Sequence, residues 1–324
     1  MSSSDIHSEL QRVEGLWFPD ASLILRAENS LFRVHSSILA ARSSVFRDMV
    51  AFPQPRELEG GEGDIVDGLS VVRLHDSAAE VEVFLKAIFD SSFFERPPIP
   101  VDFSAVIGVL RLSHKYDVKY LFRRALSHLD SMYPTSLQEF MDVVYGEPDA
   151  YSHVRADLSP PVTMHMATLR AASEVGASWL LPAAYYRIAS ASRFMKSSKG
   201  CLSIADIQRC LTAQTAFVRA TAESHAFLRL LPAPACQTPA NCRATVSTAY
   251  GILDDWSCDQ EDCDPLFGWV FDCSGPPCAH CAEMAKSLYS AVQESFWDRL
   301  PSIFGLAEWE ELKKMEAAIM ESTV

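Results

Sequence analysis

The chain has 324 residues, enough for two domains, and 48% of them are hydrophobic, which excludes a wholly disordered protein. Its formal net charge is −14, from 42 acidic and 28 basic residues, and no basic stripe offsets this charge. Because such a chain repels phosphate groups, binding to nucleic acid or docking to an anionic membrane is not expected.

The sequence carries no visible targeting or membrane-spanning segment. Residues 1–10 are polar and lack a basic stretch followed by an apolar one, so no signal peptide is predicted. The longest apolar runs, such as 179–186, fall far short of the ~20 residues that span a membrane. We therefore expect a cytoplasmic or nuclear protein, in which nine cysteines are more often free thiols or metal ligands than disulfides.

The first third of the chain predicts a small sheet followed by helices. After a polar N-terminal tail over 1–15, strand-like residues on both sides of a turn at 28–30 predict a β-hairpin over 20–34. Apolar residues from Ile38 to Met49 recur about every third or fourth position and predict one helix, which ends before Pro53.

An acidic, glycine-rich stretch over 56–68 predicts a mobile loop between these elements and the next ones. Asp76 or Ser77 is a suitable N-cap for the helix that comes after a short strand. The predicted elements beyond the loop are a strand over 70–74 and helices to about residue 90 and over about 102–115 and 118–131.

Several spaced motifs of this region resemble the signature of BTB (POZ) domains. An Asp precedes the first strand, and the run from Phe32 to Phe46 resembles the pattern F-x-V/A-H-x-x-x-L-A-x-x-S-x-x-F. Later motifs follow in the same order at 72–74, 84–90 and 110–118, so the resemblance covers about 16–131. The signature positions in this sequence are Asp20, His35, Leu39, Ser43 and Phe46.

The resemblance implies an α+β protein with a BTB/POZ fold, a small β-sheet flanked by helical hairpins, over 16–131. A mostly α-helical C-terminal region over 132–324 follows. It implies a non-catalytic protein–protein interaction module that self-associates or recruits partners, and not an enzyme. A cullin-ligase substrate adaptor is an alternative, but the nearest match to the adaptor motif, Pro55-Arg56-Glu57, is poor.

The C-terminal region predicts helices around one irregular segment. A long helix over 203–230 begins with Ser203 as its N-cap, and a segment rich in Pro, Cys and Asp over 232–281 is expected to be irregular. Two closing helices are predicted over about 282–299 and 306–321. The cysteine-bearing segment and the ending from Trp297 to Leu306 resemble BTB proteins that are abundant in mushroom-forming fungi.

The signature residues are expected to serve packing and not catalysis. His35 is interpreted as a hydrogen-bonded core histidine and Ser43 as a helix-packing hydroxyl, because no acid or second histidine completes a catalytic triad. In zinc-finger BTB transcription factors the Asp pairs with an Arg after the signature His; here that residue is Ser36, so the corepressor groove does not carry over. Asp20 alone is interpreted as a strand-end cap.

Homodimerisation is left open. A homodimer needs an apolar patch that faces its own copy, and Leu16, Trp17 and Phe18 provide part of one. The equal alternative is that these three side chains cover their own sheet.

The cysteines give the sharpest site hypothesis. Cys236 and Cys242 form one close pair and Cys278 and Cys281 another, and tetrahedral Zn²⁺ favours two such pairs. We expect one structural zinc ion with four thiolate ligands and no open position for a substrate. Free thiols are the equal alternative, a disulfide a lesser one. The residues that offer substitute ligands are Cys258, Cys263, Cys273 and His280.

Two further interpretations of the same segment carry less weight. The acidic stretch over 254–264 lacks the spacing and the central Gly of a calcium-binding EF-hand loop, so a solvated acidic loop is expected. A thiol redox enzyme that uses Cys278 and Cys281 is the rival function, because the C-x-x-C spacing lowers a thiol pKa. Against it, Gly275-Pro276-Pro277 precedes the motif in place of a strand.

Overall fold

A computed structural model of the chain describes the residues 10–51, 65–146, 153–155, 161–191, 202–258, 264–266 and 269–321, with only the backbone described at 254–258 and 272–273. These residues contain both helices and sheets, which confirms the predicted α+β class. They divide into two compact units. The sheet unit comprises described residues up to Leu129 together with 153–155, and the helical unit comprises those from Asp130 onward apart from 153–155.

A mixed five-stranded sheet forms the centre of the sheet unit, with the strand order β1-β3-β2-β5-β4. β2 and β3 form the predicted antiparallel hairpin, whereas β1 lies parallel to β3 and β5 lies parallel to β2. The strands are β1 (Gln11–Trp17), β2 (Leu23–Ala27), β3 (Ser30–Val34), β4 (Ile65–Val66) and β5 (Leu69–Leu74).

Two sequence predictions about this sheet are corrected. Residues 11–15 belong to β1 and not to a polar tail, because Leu16 at the end of that strand is buried and the Gln11 amide donates to the Asn29 carbonyl at 2.8 Å. The end of the predicted loop over 56–68 is also ordered, since β4 pairs with β5. The stretches 1–9 and 52–64 lie outside the described residues.

The described residues of the sheet unit also form five helices, and the bounds of the last three agree closely with prediction. The Ser77 side chain accepts a hydrogen bond from the Glu80 amide at 3.3 Å, which confirms it as an N-cap. A two-stranded parallel pair, β6 (Val101–Asp102) and β7 (Val154–Arg155), completes the unit. The helices are α1 (Ser36–Arg42), α2 (Ser44–Ala51), α3 (Ala78–Phe89), α4 (Phe103–Lys115) and α5 (Lys119–Asp130).

The single helix predicted over 38–49 is wrong, because Ser43 divides it into α1 and α2. Ser43 has extended backbone angles, φ −132° and ψ 123°. Its hydroxyl oxygen accepts the Phe46 amide at 3.0 Å, and its hydroxyl donates to the Tyr116 carbonyl at the end of α4. One buried serine thus caps α2 and ties the α1–α2 hairpin to α4.

We expect Ser43→Ala to destabilise the sheet unit by about 2 kcal/mol, because it removes an N-cap and leaves the buried Tyr116 carbonyl without this donor. Hydrogen–deuterium exchange of the full chain should show faster exchange of the α2 amides. Ser37→Ala, on the exposed side of α1, is the matched control. Equal exchange in both variants contradicts the role of Ser43.

The helical unit contains eight α-helices among its described residues, joined in part by the 3₁₀ turns Ser178–Leu180 and Ala226–Leu230. No described helix of the chain is both long and apolar enough to cross a membrane. The helices are α6 (Leu137–Tyr145), α7 (Val162–Val175), α8 (Leu181–Ala189), α9 (Ile204–Ser224), α10 (Pro239–Cys258), α11 (Phe271–Ser274), α12 (Ala279–Ile303) and α13 (Trp309–Met320).

Aromatic side chains form the core of the helical unit. The Tyr186 ring of α8 lies 5.2 Å from that of Phe217 on α9, and Phe217 lies 5.6 Å from Phe296 on α12. Phe140 and Trp297 are 4.8 Å apart on the same core. These edge-to-face and tilted contacts join α6, α8, α9 and α12.

Three predictions for this unit are corrected. The segment over 232–281 is not irregular, since α10 covers twenty of its residues; Pro239 occupies the first position of that helix, where proline is well tolerated. The helix predicted over 203–230 ends earlier, at Ser224, and a separate 3₁₀ turn follows over Ala226–Leu230. Its predicted N-cap is confirmed, because the Ser203 hydroxyl accepts a hydrogen bond from the Asp206 amide at 3.1 Å. The first closing helix, predicted over 282–299, runs longer, through Pro301.

Candidate metal centre

The four cysteines of the predicted zinc site lie at the starts of two helices. Cys236 lies in the turn before α10, and Cys242 lies in the first turn of that helix. Cys278 is the N-cap residue of α12, and Cys281 lies in its first turn. The two helix N-termini therefore bring together two cysteine pairs that are far apart in sequence.

The sulfur atoms are close enough to bind one ion. All four Sγ atoms lie within 4.8 Å of one another, and those of Cys236 and Cys278 are 3.7 Å apart. A tetrahedral zinc ion with Zn–S bonds of about 2.3 Å separates its ligand sulfurs by about 3.8 Å. The cluster therefore needs only a small contraction to reach this geometry.

The cluster is partly buried in apolar surroundings. Cys242 and Cys281 have 1% and 0% of their surface exposed, whereas Cys236 and Cys278 are half-buried. The apolar side chains that pack around the sulfurs are Leu231, Ala233 and Met284. Two ligands thus face the protein interior, and two lie nearer to solvent, where an ion can enter.

Backbone amides point at the sulfur atoms. The Ala233 amide donates to the Cys281 sulfur, and the Cys278 amide donates to the Cys242 sulfur, both at 3.3 Å. The Thr238 hydroxyl lies 3.5 Å from the Cys242 sulfur. Such donors stabilise thiolates and orient metal ligands. No sequence pattern predicts these amide donors, because they depend on how the two segments meet.

The four thiols differ in their electrostatic environment. Hydrogen bonds from the backbone amides of Cys281 and Gln237 lower the pKa of Cys278 to about 6, although burial opposes this change. The Cys278 amide and the Thr238 hydroxyl likewise lower the pKa of Cys242. Burial raises the pKa of Cys281 to about 12 and also raises that of Cys236. Without a cation, the cluster therefore holds a mixture of thiols and thiolates.

A disulfide is not present among these cysteines. All four are free, and the 3.7 Å between the Cys236 and Cys278 sulfurs is well above the bonded distance of about 2.05 Å.

The substitute ligands named from the sequence do not join the cluster within the described residues. His280 is exposed on the first turn of α12. The side chains of Cys258, Cys263 and Cys273 lie outside the described residues. Cys210 is buried on α9 and is not part of the group.

The BTB signature residues lie in the sheet unit, and most are buried. Leu39 and Phe46 are 0% and 1% exposed, and Ser43 is the buried cap described above. His35 departs from the predicted core histidine, because its side chain is 30% exposed and its Nε2 lies 3.7 Å from the Asp20 carboxylate. Asp20 is 81% exposed in the turn before β2, beside His35, and no cap hydrogen bond from it is found among the described residues.

The three residues proposed for a dimer patch have different environments. Leu16 is buried in its own unit, which favours the alternative that it covers its own sheet. Trp17 is half-buried under the Arg12 guanidinium, and the Phe18 ring lies 5.4 Å from that of His35. The stretch 55–57 lies outside the described residues.

One acid of the predicted solvated loop is tightly hydrogen-bonded instead. The Asp264 carboxylate accepts hydrogen bonds from the hydroxyls of Tyr145, at 2.6 Å, and Tyr186. Burial and this carboxylate raise the pKa of both tyrosines. Asp264 therefore joins the structural core, while 259–263 lie outside the described residues.

Comparison of this chain with protein-family models, with curated proteins and with solved structures gives no significant match. The function must therefore be argued from the site and the fold.

We expect Cys278 to be the most reactive of the four thiols in chelator-treated protein. The backbone amides of Cys281 and Gln237 lower the pKa of Cys278 to about 6, which favours its thiolate at neutral pH, whereas burial raises the pKa of Cys281 and favours its thiol. Mass spectrometry after brief iodoacetamide treatment should show Cys278 alkylation rising through pH 6. Faster alkylation of Cys281 than of Cys278 contradicts the assignment.

Proposed function

We propose that the chain is a non-catalytic protein-interaction protein, in which a BTB-like sheet unit docks partners and a structural zinc ion stabilises the helical unit. The convergence of the four cysteine sulfurs within 4.8 Å carries the zinc part of the proposal. The arrangement of the sheet unit supports the docking part.

The ligand chemistry favours zinc over harder cations. Four sulfur ligands suit Zn²⁺, whereas Ca²⁺ and Mg²⁺ take oxygen ligands. Zinc neutralises thiolates that otherwise repel one another, and its binding releases the protons that Cys281 and Cys236 retain. Cys236, Cys242, Cys278 and Cys281 would fill all four positions, so the ion would be structural and hold the starts of α10 and α12 together.

A thiol redox function is the second candidate, because one observation favours it. The low pKa of Cys278 and its place at a helix N-terminus resemble the reactive position of C-x-x-C enzymes. The other cysteine pair argues against it, since two further sulfurs beside the motif provide a metal site and not a substrate channel. Metal content separates the two candidates.

We expect purified protein to contain about one zinc ion per chain by mass spectrometry of metals, and Cys278→Ser or Cys242→Ser to lose it. The Co²⁺-substituted protein should show the absorption of a tetrahedral thiolate complex. Cys210→Ala, which removes a buried thiol outside the cluster, is the matched control and should keep its zinc. Metal-free protein that is equally stable with and without added zinc would contradict the proposal.

The sheet unit supports a docking role through the order of its elements. The α1–α2 pair follows the β2–β3 hairpin, and β5, which lies parallel to β2, and further helices come next, an order compatible with the small sheet and helical hairpins of the BTB resemblance. Its signature residues Leu39, Ser43 and Phe46 are used for packing. This leaves the surface of the unit for binding, and the role of cullin-ligase adaptor remains a narrower version of the same proposal.

The α1–α2 hairpin carries apolar side chains on its surface. Ile38, Val45 and Val50 are 40%, 41% and 44% exposed. Because exposed apolar side chains grouped on one short hairpin are typical of binding surfaces, this hairpin is the part of the sheet unit that we expect to contact a partner.

We expect Val45→Glu to reduce partner binding by roughly tenfold or more, because it places an unpaired charge in an apolar contact. Cross-linking of the full-length protein in cells, followed by quantitative mass spectrometry, measures this loss. Ser104→Glu adds the same charge at an exposed position of α4 and serves as the control. Equal recovery of partners with both variants would contradict the docking surface. In a separate assay, turnover of a disulfide substrate that Cys278→Ser abolishes would support the rival redox function.

A further inference from the structure

Helix α9 carries a row of exposed side chains at heptad spacing, in addition to the row that it buries in the helical unit. The exposed row alternates steps of four and three residues, the spacing of a coiled-coil seam. All six of its side chains are exposed. We call this row the outer seam, and its members are Ile204, Gln208, Leu211, Thr215, Val218 and Ala222.

The outer seam lies opposite the buried side of the helix. The buried residues of α9 face α8 and α12, and they are Cys210, Ala213, Phe217, Ala220 and Ser224. At 100° per residue, the centre of the outer seam lies about 160° from the centre of this buried stripe. The fold of the helical unit therefore accounts for one face of α9 and leaves the other exposed.

The apolar residues of the outer seam are unusually exposed. Ile204, Leu211 and Val218 are 77%, 42% and 49% exposed, and each is seven residues from the next. A single exposed apolar side chain needs no explanation, but three in one line at heptad spacing form a contact surface.

The seam is complementary to itself in the antiparallel direction. When a second copy lies antiparallel, with the two helices centred at the level of residue 213 along their axes, Ile204 faces Ala222, Gln208 faces Val218 and Leu211 faces Thr215. Each layer then pairs a large apolar side chain with a smaller or more polar one, which is the condition for interdigitated packing. A parallel copy instead places like residues together, such as Gln208 on Gln208.

The charges of α9 also favour a second copy. The chain carries −14, but α9 has two acids and two bases and no charge in the seam. Arg219, the charged residue that borders the seam, is paired with Glu223 at 2.9 Å. Antiparallel helices also place the positive N-terminal end of one dipole beside the negative C-terminal end of the other.

We propose that the outer seam of α9 is a self-association surface, on which a second copy of this chain docks antiparallel, with the two seams centred at the level of residue 213. The surface lies on the helical unit and involves neither the cysteine cluster nor the α1–α2 hairpin, so this proposal stands apart from the proposed function.

The size of the seam sets the strength of the dimer. A helix of 21 residues is about 32 Å long. One helix face of this length buries less than the ~800 Å² that each partner of a stable interface commonly contributes. The dimer should therefore form in the micromolar range.

Sedimentation equilibrium of the full chain, as it is purified, tests the proposal. We expect reversible dimerisation, and we expect Leu211→Glu to raise the dissociation constant by about tenfold or more, since it buries two like charges near the centre of the interface. Ala205→Glu adds the same charge about 100° away from the seam on the same exposed helix and should leave the constant unchanged.

Cross-linking determines the direction of the two helices. A short bismaleimide should join a Leu211→Cys chain to a Thr215→Cys chain more readily than it joins either variant to itself. Fragmentation of the 210–219 peptide distinguishes these positions from the native Cys210. Preferential self-linking of each single variant overturns the antiparallel arrangement.

Three results, two from sedimentation and one from thermal unfolding combined with it, overturn the proposal. The first is a wild-type chain that stays monomeric at several hundred micromolar, and the second is a dimer that Leu211→Glu and Ala205→Glu leave equally intact. The third is a loss of thermal stability in Leu211→Glu without any change in association, which means that another part of the same chain covers the seam. The outcome does not depend on the α1–α2 hairpin, whose test uses Val45→Glu.

Discussion

The convergence of four sulfur atoms at the starts of two helices is the arrangement on which the candidate metal centre depends. Two helices begin at one point, and each brings a pair of cysteines within 4.8 Å of the other pair. Thiolates at this distance repel one another unless a cation lies among them, whereas protonated thiols are poorer acceptors for the amide donors aimed at them. The starts of α10 and α12 are therefore coupled to the charge state of the cluster.

The local parts of the fold could be read from the sequence, and the parts that depend on distant contacts could not. The β2–β3 hairpin and the Ser77 cap were predictable because alternation, turn residues and N-cap chemistry act within a few residues. The break at Ser43 depends on the Tyr116 carbonyl, 73 residues away. Helix α10 was missed because proline, cysteine and aspartate around it are typical of irregular segments.

The candidate metal centre was likewise predictable only where it depends on local sequence. The spacing of Cys278 and Cys281 indicated a metal-binding turn, and the two pairs indicated four ligands. The spacing does not predict the hydrogen-bond donors to the sulfurs, because the amides of Ala233 and Gln237 reach them through tertiary contacts. Asp264 shows the same limit, because its acidic neighbours suggested solvent and only the packing of Tyr145 and Tyr186 reveals its partners.

The two cysteine pairs also close a long stretch of polypeptide into a ring. Under the proposed zinc site, a link across the 35 residues between Cys242 and Cys278 would remove roughly 4 kcal/mol of chain entropy from the unfolded protein, by the relation derived for disulfides. That quantity changes slowly with ring size, since doubling the ring alters it by only about 0.6 kcal/mol. The entropic contribution of such a link is therefore insensitive to the length of the connection between α10 and α11, and it is the hydrogen bonds of Asp264 to Tyr145 and Tyr186 that constrain this connection.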